Sequence, residues 1–219
     1  MIPYKNILIL EPHIDDVELG CSVLFEYLEK GTTVVVVSFC YGYNEENSIL
    51  RMEKRKANIK IWEEMGLKVI HKTFNDIRDT TMDSSKIDDY ITELFSDYIL
   101  NMSSFDLLLI PQKDLHNDHC VVNTIGNILS RQMRFSVWEY IILNSFPEEQ
   151  HYEYTPKYNT QFSIGIGQRC DLDAVDRVLE VCEYKMEKSC DGKAIRRQKY
   201  RGENYLCDKF NIIKQDFRK

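Results

Sequence analysis

Short apolar runs rich in Val, Ile and Leu alternate along this chain with longer segments in which apolar residues recur at the helical period. Continuous runs of this kind are typical of strands that are buried on both faces of a parallel sheet. The pattern predicts five strands in the first two thirds of the chain, at 7–11, 33–39, 67–74, 106–111 and 135–143. A further apolar run, FSIGI at 162–166, stands apart from this series.

The intervening segments have the spacing of amphipathic helices. They lie at 17–31, 51–66, 84–102, 118–133 and 171–188, and the first two end on Gly31 and Gly66, as helices often do. Strands and helices in strict alternation predict the α/β class, with a doubly wound, mainly parallel, Rossmann-like sheet. We expect a single domain over 1–219, with an α/β core at 1–145 and a C-terminal appendage at 146–219.

Composition narrows the class of protein. The 219 residues are 43% hydrophobic and 29% charged with a net charge of −7, which is typical of a globular protein and disfavours nucleic-acid or anionic-membrane partners. The seven cysteines are scattered and form no CxxC pair, so we expect reduced thiols and a cytoplasmic protein. We expect neither a signal peptide nor a membrane anchor. The aromatic-rich C-terminal half could supply the interface of a homo-oligomer.

Two clusters of polar side chains follow predicted strands. HIDD (13–16) ends the first strand, DLHNDH (114–119) follows the fourth, and together they hold three of the five histidines. Ligands of open α/β sheets bind at the carboxyl ends of the strands, so we expect these clusters to meet. Aspartates at a strand end are also common helix caps, which is the alternative interpretation of each cluster taken alone.

The residue types suit a catalytic metal. His13, Asp16 and His119 would supply two imidazoles and one carboxylate, a common zinc set that iron or cobalt can also occupy. Asp15 would then be the general base that takes a proton from a metal-bound water. His116, one helical turn before His119, would stabilise an oxyanion or protonate a leaving group. These parts predict metal-assisted hydrolysis of an amide or ester.

The same residues resemble a known family. HIDDVELG is similar to the HxDD signature of the LmbE-like, or PIG-L, N-acetylglucosaminyl deacetylases, and HNDH resembles their second motif, HxDH. NDIRD (75–79) resembles their Asp-x-Arg loop, and RGENYLCDKF (201–210) their terminal segment, with Cys207-Asp208 in place of Ala-Glu. The likeness covers most of the chain and is weakest at 136–195.

The resemblance implies an LmbE-like fold and a zinc-dependent hydrolase that removes acetyl from an N-acetylated amino sugar or its conjugate. It implies that His13, Asp16 and His119 are the zinc ligands. It also implies that Asp15 is the general base and that His116 stabilises the oxyanion, as the residue types do. It also implies that Arg51, Asp76 and Arg78 bind the substrate, with Arg55 as a rival to Arg51. We interpret CYGYNEENS (40–48) as a wall of the substrate site. Whether Asp15 or His116 protonates the departing amine stays open.

Three alternatives remain. A metallophosphoesterase would need basic groups for the phosphate, for which only Arg51, Arg55 and Arg78 are candidates. A catalytically inactive, sugar-binding member of the same fold is the second. A signalling receiver-like module also pairs aspartates at the end of its first strand. It would require a lysine near the end of the fifth strand, where the sequence reads IILNSF.

Overall fold

The computed structural model describes residues 2–74, 77–96, 104–142, 161–167, 173–181 except 175 and 179, and 205–214. These residues form a seven-stranded sheet flanked by helices on both faces. The strands are β1 (Asn6–His13), β2 (Thr33–Cys40), β3 (Lys68–Thr73), β4 (Leu107–Pro111), β5 (Ser136–Tyr140), β6 (Gln161–Gly167) and β7 (Tyr205–Lys214). The helices are α1 (Asp16–Gly20), α2 (Ser22–Phe25), α3 (Glu45–Glu64), α4 (Ile87–Ser96), which follows a 3₁₀ turn at Ser84–Lys86, and α5 (Asn117–Gln132).

The order of the strands in the sheet determines where a ligand site is expected. The sheet runs β3-β2-β1-β4-β5-β7-β6, and β1 to β5 are mutually parallel, which confirms the predicted doubly wound, mainly parallel α/β class. The chain moves outward from β1 to β3 and then returns to the other side of β1 with β4. This reversal opens a crevice at the carboxyl ends of β1 and β4, where α/β proteins bind their ligands.

Alternate residues of the central strands pack on opposite faces of the sheet. Leu8 and Leu10 belong to the apolar cluster shared with α4 and α5, whereas Ile7 and Ile9 belong to the cluster shared with α1, α2 and α3. Both faces are therefore buried, which explains why these strands have continuous apolar sequences rather than alternating ones. Within the described ranges, no helix combines the length and apolar character that a membrane crossing needs.

Two predicted helix boundaries were wrong. The segment predicted as one helix over 17–31 is broken at Cys21, whose φ of −133° and ψ of 0° leave the helical region. Gly20 lies so close to Tyr140 that an added Cβ would be 2.7 Å from Cδ2 of its ring. The helix predicted from Arg51 begins six residues earlier, at Glu45, because the Asn44 side chain caps it by accepting the Asn47 N–H.

The C-terminal strand β7 was not predicted. Its sequence, YLCDKFNIIK, mixes charged and apolar residues without a clear period, and it pairs antiparallel with both β5 and β6. The segments before and after residue 145 thus share one sheet, which supports the proposal of a single domain. Of the helix predicted at 171–188, the described residues 173–174, 176–178 and 180–181 are helical.

Candidate metal centre

The two polar clusters meet at the switch point of the sheet. His13 is the last residue of β1, Asp15 and Asp16 begin α1, and His116 and His119 begin α5. The three imidazole rings are close neighbours, with centroids 4.6, 5.2 and 4.9 Å apart. One ligand atom from each histidine lies within 4.8 Å of those of the other two, and the same is true of His13, Asp15 and Asp16.

Two imidazole nitrogens converge on one carboxylate oxygen. Oδ2 of Asp16 lies 3.2 Å from Nδ1 of His13 and 3.7 Å from Nε2 of His119. The same oxygen accepts the backbone N–H of His13 at 2.9 Å, which fixes the carboxylate relative to the end of β1. Ligands about 2.1 Å from a tetrahedral metal are separated by about 3.4 Å, and both distances to Oδ2 of Asp16 are close to that value.

The opposite nitrogen of each ring is held by carboxylates. Nε2 of His13 lies 3.1 Å from both Asp118 Oδ2 and Asp79 Oδ1, and Nδ1 of His119 lies 2.5 Å from Asp114 Oδ2. A carboxylate behind a ligating histidine fixes its tautomer and orientation, an arrangement that is characteristic of metal sites. The nitrogens that face Asp16 are those left available, so the donor set fits a metal such as zinc.

The electrostatics of the site favour positive charge. Burial lowers the pKa of His13, but the Asp16 carboxylate and hydrogen bonds to Asp118, Asp16 and Asp79 together raise it to about 11. Burial likewise opposes ionisation of Asp16, yet His119 and His13 bring its pKa down to about 2. Buried carboxylates that stay ionised and draw protons onto neighbouring imidazoles are equally able to stabilise a metal cation.

Asp118 connects α5 to the loop that follows β3. Its Oδ2 accepts the backbone N–H of Thr80 at 2.7 Å, and its Oδ1 accepts that of Met82 at 3.2 Å. Thr80 has a φ of +67°, a left-handed conformation that is uncommon for a residue with a branched side chain. These bonds hold the loop in a conformation that places Asp79 beside His13.

Arg51 reaches the same side of the site from α3. Its Nη2 lies 3.2 Å from Asp79 Oδ2 and 3.9 Å from Asp15 Oδ2. Its Nε and Nη1 are buried and have no hydrogen-bond partner among the described residues. The guanidinium thus has donors that the described protein groups do not use, next to two carboxylates of the site.

The structure describes two of the other three residues predicted as substrate contacts, Arg55 and Arg78. Arg55 is completely buried, with its guanidinium bonded to Glu11 and Glu18 inside the fold. Arg78 is exposed, and Asp76 lies outside the described residues. The wall predicted at 40–48 is only partly a loop, because residues 45–48 form the first turn of α3.

The sequence patterns missed three carboxylates of the site, Asp79, Asp114 and Asp118. The last two flank the histidines of DLHNDH, so the need of a ligating histidine for a partner behind it could have identified them. Asp79 belongs to the NDIRD segment, but neither spacing nor periodicity distinguishes it from Asp76.

The fold and the site define an α/β protein with a candidate metal centre at the switch point of its sheet. Comparison with known sequences defines the family. The model of the PIG-L family, described as GlcNAc-PI de-N-acetylase, matches residues 8–129, more than half of the chain. The protein belongs to the PIG-L family. No curated protein matches the chain significantly.

Solved structures with the same fold include both deacetylases and another enzyme. The zinc-inhibited form of teicoplanin deacetylase Orf2 is 11% identical, with a TM-score of 0.66 over 97% of this chain and 99% of that one. The N,N'-diacetylchitobiose deacetylase of Pyrococcus horikoshii is 16% identical, with a TM-score of 0.57 over 99% and 88%. GalB of Pseudomonas putida KT2440, a 4-carboxy-2-hydroxymuconate hydratase, is 12% identical, with a TM-score of 0.63 over 95% and 96%. Because the fold serves different reactions, the function must be argued from the site.

Proposed function

We propose that this protein is a metal-dependent N-deacetylase that hydrolyses the acetamide of an N-acetylated amino sugar or sugar conjugate to the free amine and acetate. The observation that carries the proposal is the convergence of His13 and His119 on Asp16, each ring held from behind by a carboxylate. The PIG-L family description supports the reaction, as do the two deacetylases of the same fold.

His13 through Nδ1, Asp16 through Oδ2 and His119 through Nε2 would hold the metal, which we take to be zinc, with iron or cobalt as substitutes. Such a metal would act as a Lewis acid for the acetamide carbonyl and would make water a better nucleophile. The protein contributes the orientation of these three groups, which Asp118, Asp79 and Asp114 fix through hydrogen bonds.

Asp15 is the proposed general base. Its carboxylate is buried, and one of its oxygens lies within 4.8 Å of a ligand atom of His13 and of Asp16, beside the position where these two residues would hold the metal. Nη2 of Arg51 lies 3.9 Å from Oδ2 of Asp15, so a guanidinium stands beside the proposed base.

His116 is the proposed stabiliser of the developing oxyanion. Its Nδ1 accepts the backbone N–H of Asp118 at 3.3 Å, so a neutral ring carries its proton on Nε2. Burial lowers the pKa of His116, and the neighbouring His13 and His119 lower it further, which favours that neutral form. The Nε2–H is then a donor for the carbonyl oxygen as it becomes negative. Either His116 or Asp15 returns the proton to the departing amine.

For the sugar, we propose Arg51 rather than Arg55. Arg51 has unused buried donors beside Asp79, whereas every nitrogen of the Arg55 guanidinium is bonded within the fold. A donor and an acceptor side by side, as Arg51 and Asp79 are, suit the hydroxyl groups of a sugar. Asp76 and Arg78 remain predicted substrate contacts.

The metallophosphoesterase alternative has less support. Arg51 is within 3.2 Å of Asp79, Arg55 is enclosed by glutamates and Arg78 is exposed, so the described arginines do not converge on a phosphate. Membership of the PIG-L family likewise argues against a signalling module. A sugar-binding member without activity would keep the fold and lose turnover, which an assay distinguishes directly.

The test is chelation followed by restoration of the metal. Protein stripped with a chelator should release no acetate from a panel of N-acetylated sugars and their conjugates, and zinc, cobalt or ferrous iron added back should restore release. A matched panel of phosphate esters serves as the control. Phosphate release without acetate release would favour the phosphoesterase, and no release from either panel with any metal would favour the inactive, sugar-binding protein.

A further inference from the structure

A buried ion-pair network lies directly behind the metal centre. Arg55 of α3 is 0% exposed, and its Nη1 and Nη2 donate to the two carboxylate oxygens of Glu11 at 2.7 and 2.9 Å. Its Nε and Nη2 donate to the two oxygens of Glu18 at 2.8 and 2.7 Å. The side chains of Ser38 and Asn58 donate to Glu11 and Glu18, so both carboxylates have further partners.

The two glutamates flank the segment that holds the site. Glu11 stands two residues before His13 on β1, and Glu18 stands two residues after Asp16 on α1. Oε2 of Glu11 also accepts the backbone N–H of Val17 at 3.1 Å. One rigid guanidinium therefore joins both ends of the turn between β1 and α1, and the length of this turn determines where His13 and Asp16 lie relative to each other.

We propose that Arg55 is a positioning residue that sets the separation of His13 and Asp16 and thereby the affinity of the site for its metal. This inference rests on the metal site of the proposed function. The planar guanidinium spans two carboxylates with paired hydrogen bonds, and a lysine ammonium would meet them as a single point. Positioning of this kind is needed because the nitrogen and oxygen donors must stay about 3.4 Å apart for a tetrahedral ion.

Stability alone does not account for the network. Replacing a complete buried ion-pair network with well-packed hydrophobic residues of similar size is often neutral or stabilising, because the cost of desolvating the charges disappears with them. Removing only one partner leaves an unpaired buried charge and is strongly destabilising. The two kinds of replacement therefore separate an effect on folding from an effect on the metal site.

The decisive variant combines Arg55→Met with Glu11→Gln and Glu18→Gln, so that no unpaired charge remains. It is compared with Arg55→Met alone, with Arg55→Lys, and with wild type. Two quantities are measured: the melting temperature, and the dissociation constant for zinc alone from competition with a chromophoric chelator. Arg177→Met with Glu26→Gln is the control, because this pair is also bidentate and neither residue belongs to β1, α1 or the turn between them.

We expect Arg55→Met alone to lower the melting temperature and the triple variant to recover part of that loss, because the uncompensated charge is gone but the glutamine amides stay buried. The triple variant should still bind zinc roughly 10–100-fold more weakly than wild type, the usual effect of losing groups that orient metal ligands. Arg55→Lys should be intermediate and the control pair unchanged in zinc affinity. A triple variant that binds zinc within about twofold of wild type would overturn the inference and leave the proposed function intact. Wild type that binds no zinc would overturn both.

Discussion

Asp118 offers the sharpest test of how the loop after β3 is held at the site. Its fully buried carboxylate accepts the backbone N–H groups of Thr80 and Met82 and interacts with Nε2 of His13. Asp118→Ala removes these interactions together, and Asp118→Asn keeps one oxygen acceptor in nearly the same shape. The carboxylate should therefore contribute more to the free energy of unfolding than an average side chain of its size does.

The magnitude follows from the kinds of bonds lost. A hydrogen bond to a charged group contributes about 1.5–3 kcal/mol, and leaving a buried charged partner alone costs about 3–5 kcal/mol. The bonds share one carboxylate and are not additive. We expect Asp118→Ala to lower the free energy of unfolding by about 3–5 kcal/mol, and Asp118→Asn to lower it by about 2 kcal/mol.

The loss should depend on pH. Burial raises the pKa of Asp118, but His13, the Thr80 amide and other partners bring it below its ordinary value in the folded protein. A carboxyl whose folded pKa is depressed stabilises fully above its unfolded pKa of about 3.9, and this contribution is lost as the pH falls through the folded value. The difference between wild type and Asp118→Asn should be constant above about pH 5 and should shrink below about pH 4.

The assay is urea unfolding between pH 3 and 7, with a chelator present so that metal release does not contribute. Asp83→Asn is the control, because Asp83 also accepts a backbone N–H in this region but is exposed. Asp118→Ala with the unfolding free energy of wild type would refute this account of the loop. A decrease in the unfolding free energy of Asp118→Asn that stays the same from pH 3 to pH 7 would refute it as well.

Further predictions concern the roles of individual groups. Asp15→Asn should keep its metal and lose acetate release, whereas Asp16→Asn should lose the metal; equal metal loss in both, measured by elemental analysis, would contradict the division of roles. Asp114→Asn should weaken zinc binding roughly 10–100-fold by freeing Nδ1 of His119, and a chelator competition that finds wild-type affinity would argue against that support. His116→Ala should lower kcat by about 10²–10³ with little change in KM; steady-state kinetics showing the reverse would assign it to substrate binding.

Local patterns predict the central part of this fold because its strands are buried on both faces. β1 and β2 contain the continuous apolar runs ILIL and VVVV, which are typical of strands in a parallel sheet between helices. Strand β7 could not be predicted in this way, since it is ordered by pairing with β5 and β6 rather than by a pattern of its own. The close approach of Gly20 to the ring of Tyr140 joins residues far apart in the chain, and a sequence window does not contain both.

The residues of the candidate site differ in the same way, since some could be predicted from local sequence and others could not. His13, Asp16 and His119 could be proposed from sequence because each lies at the end of a strand or the start of a helix, in a motif of a few residues. Asp79 could not, because the loop that carries it takes its conformation from Asp118 on another element. The sequence also left Arg55 as a rival to Arg51, and the two differ in the fold by their hydrogen bonds, because only the Arg55 guanidinium is bonded at every nitrogen.

The most direct test of the central claim is the metal content of the purified protein, measured beside acetate release from N-acetylated sugars, for wild type and His119→Ala. The account predicts about one metal ion per chain in wild type, with the metal and acetate release lost together in the variant. Acetate release that persists in His119→Ala without metal would contradict it, as would a wild type that binds no metal and remains inactive after zinc, cobalt or iron is supplied.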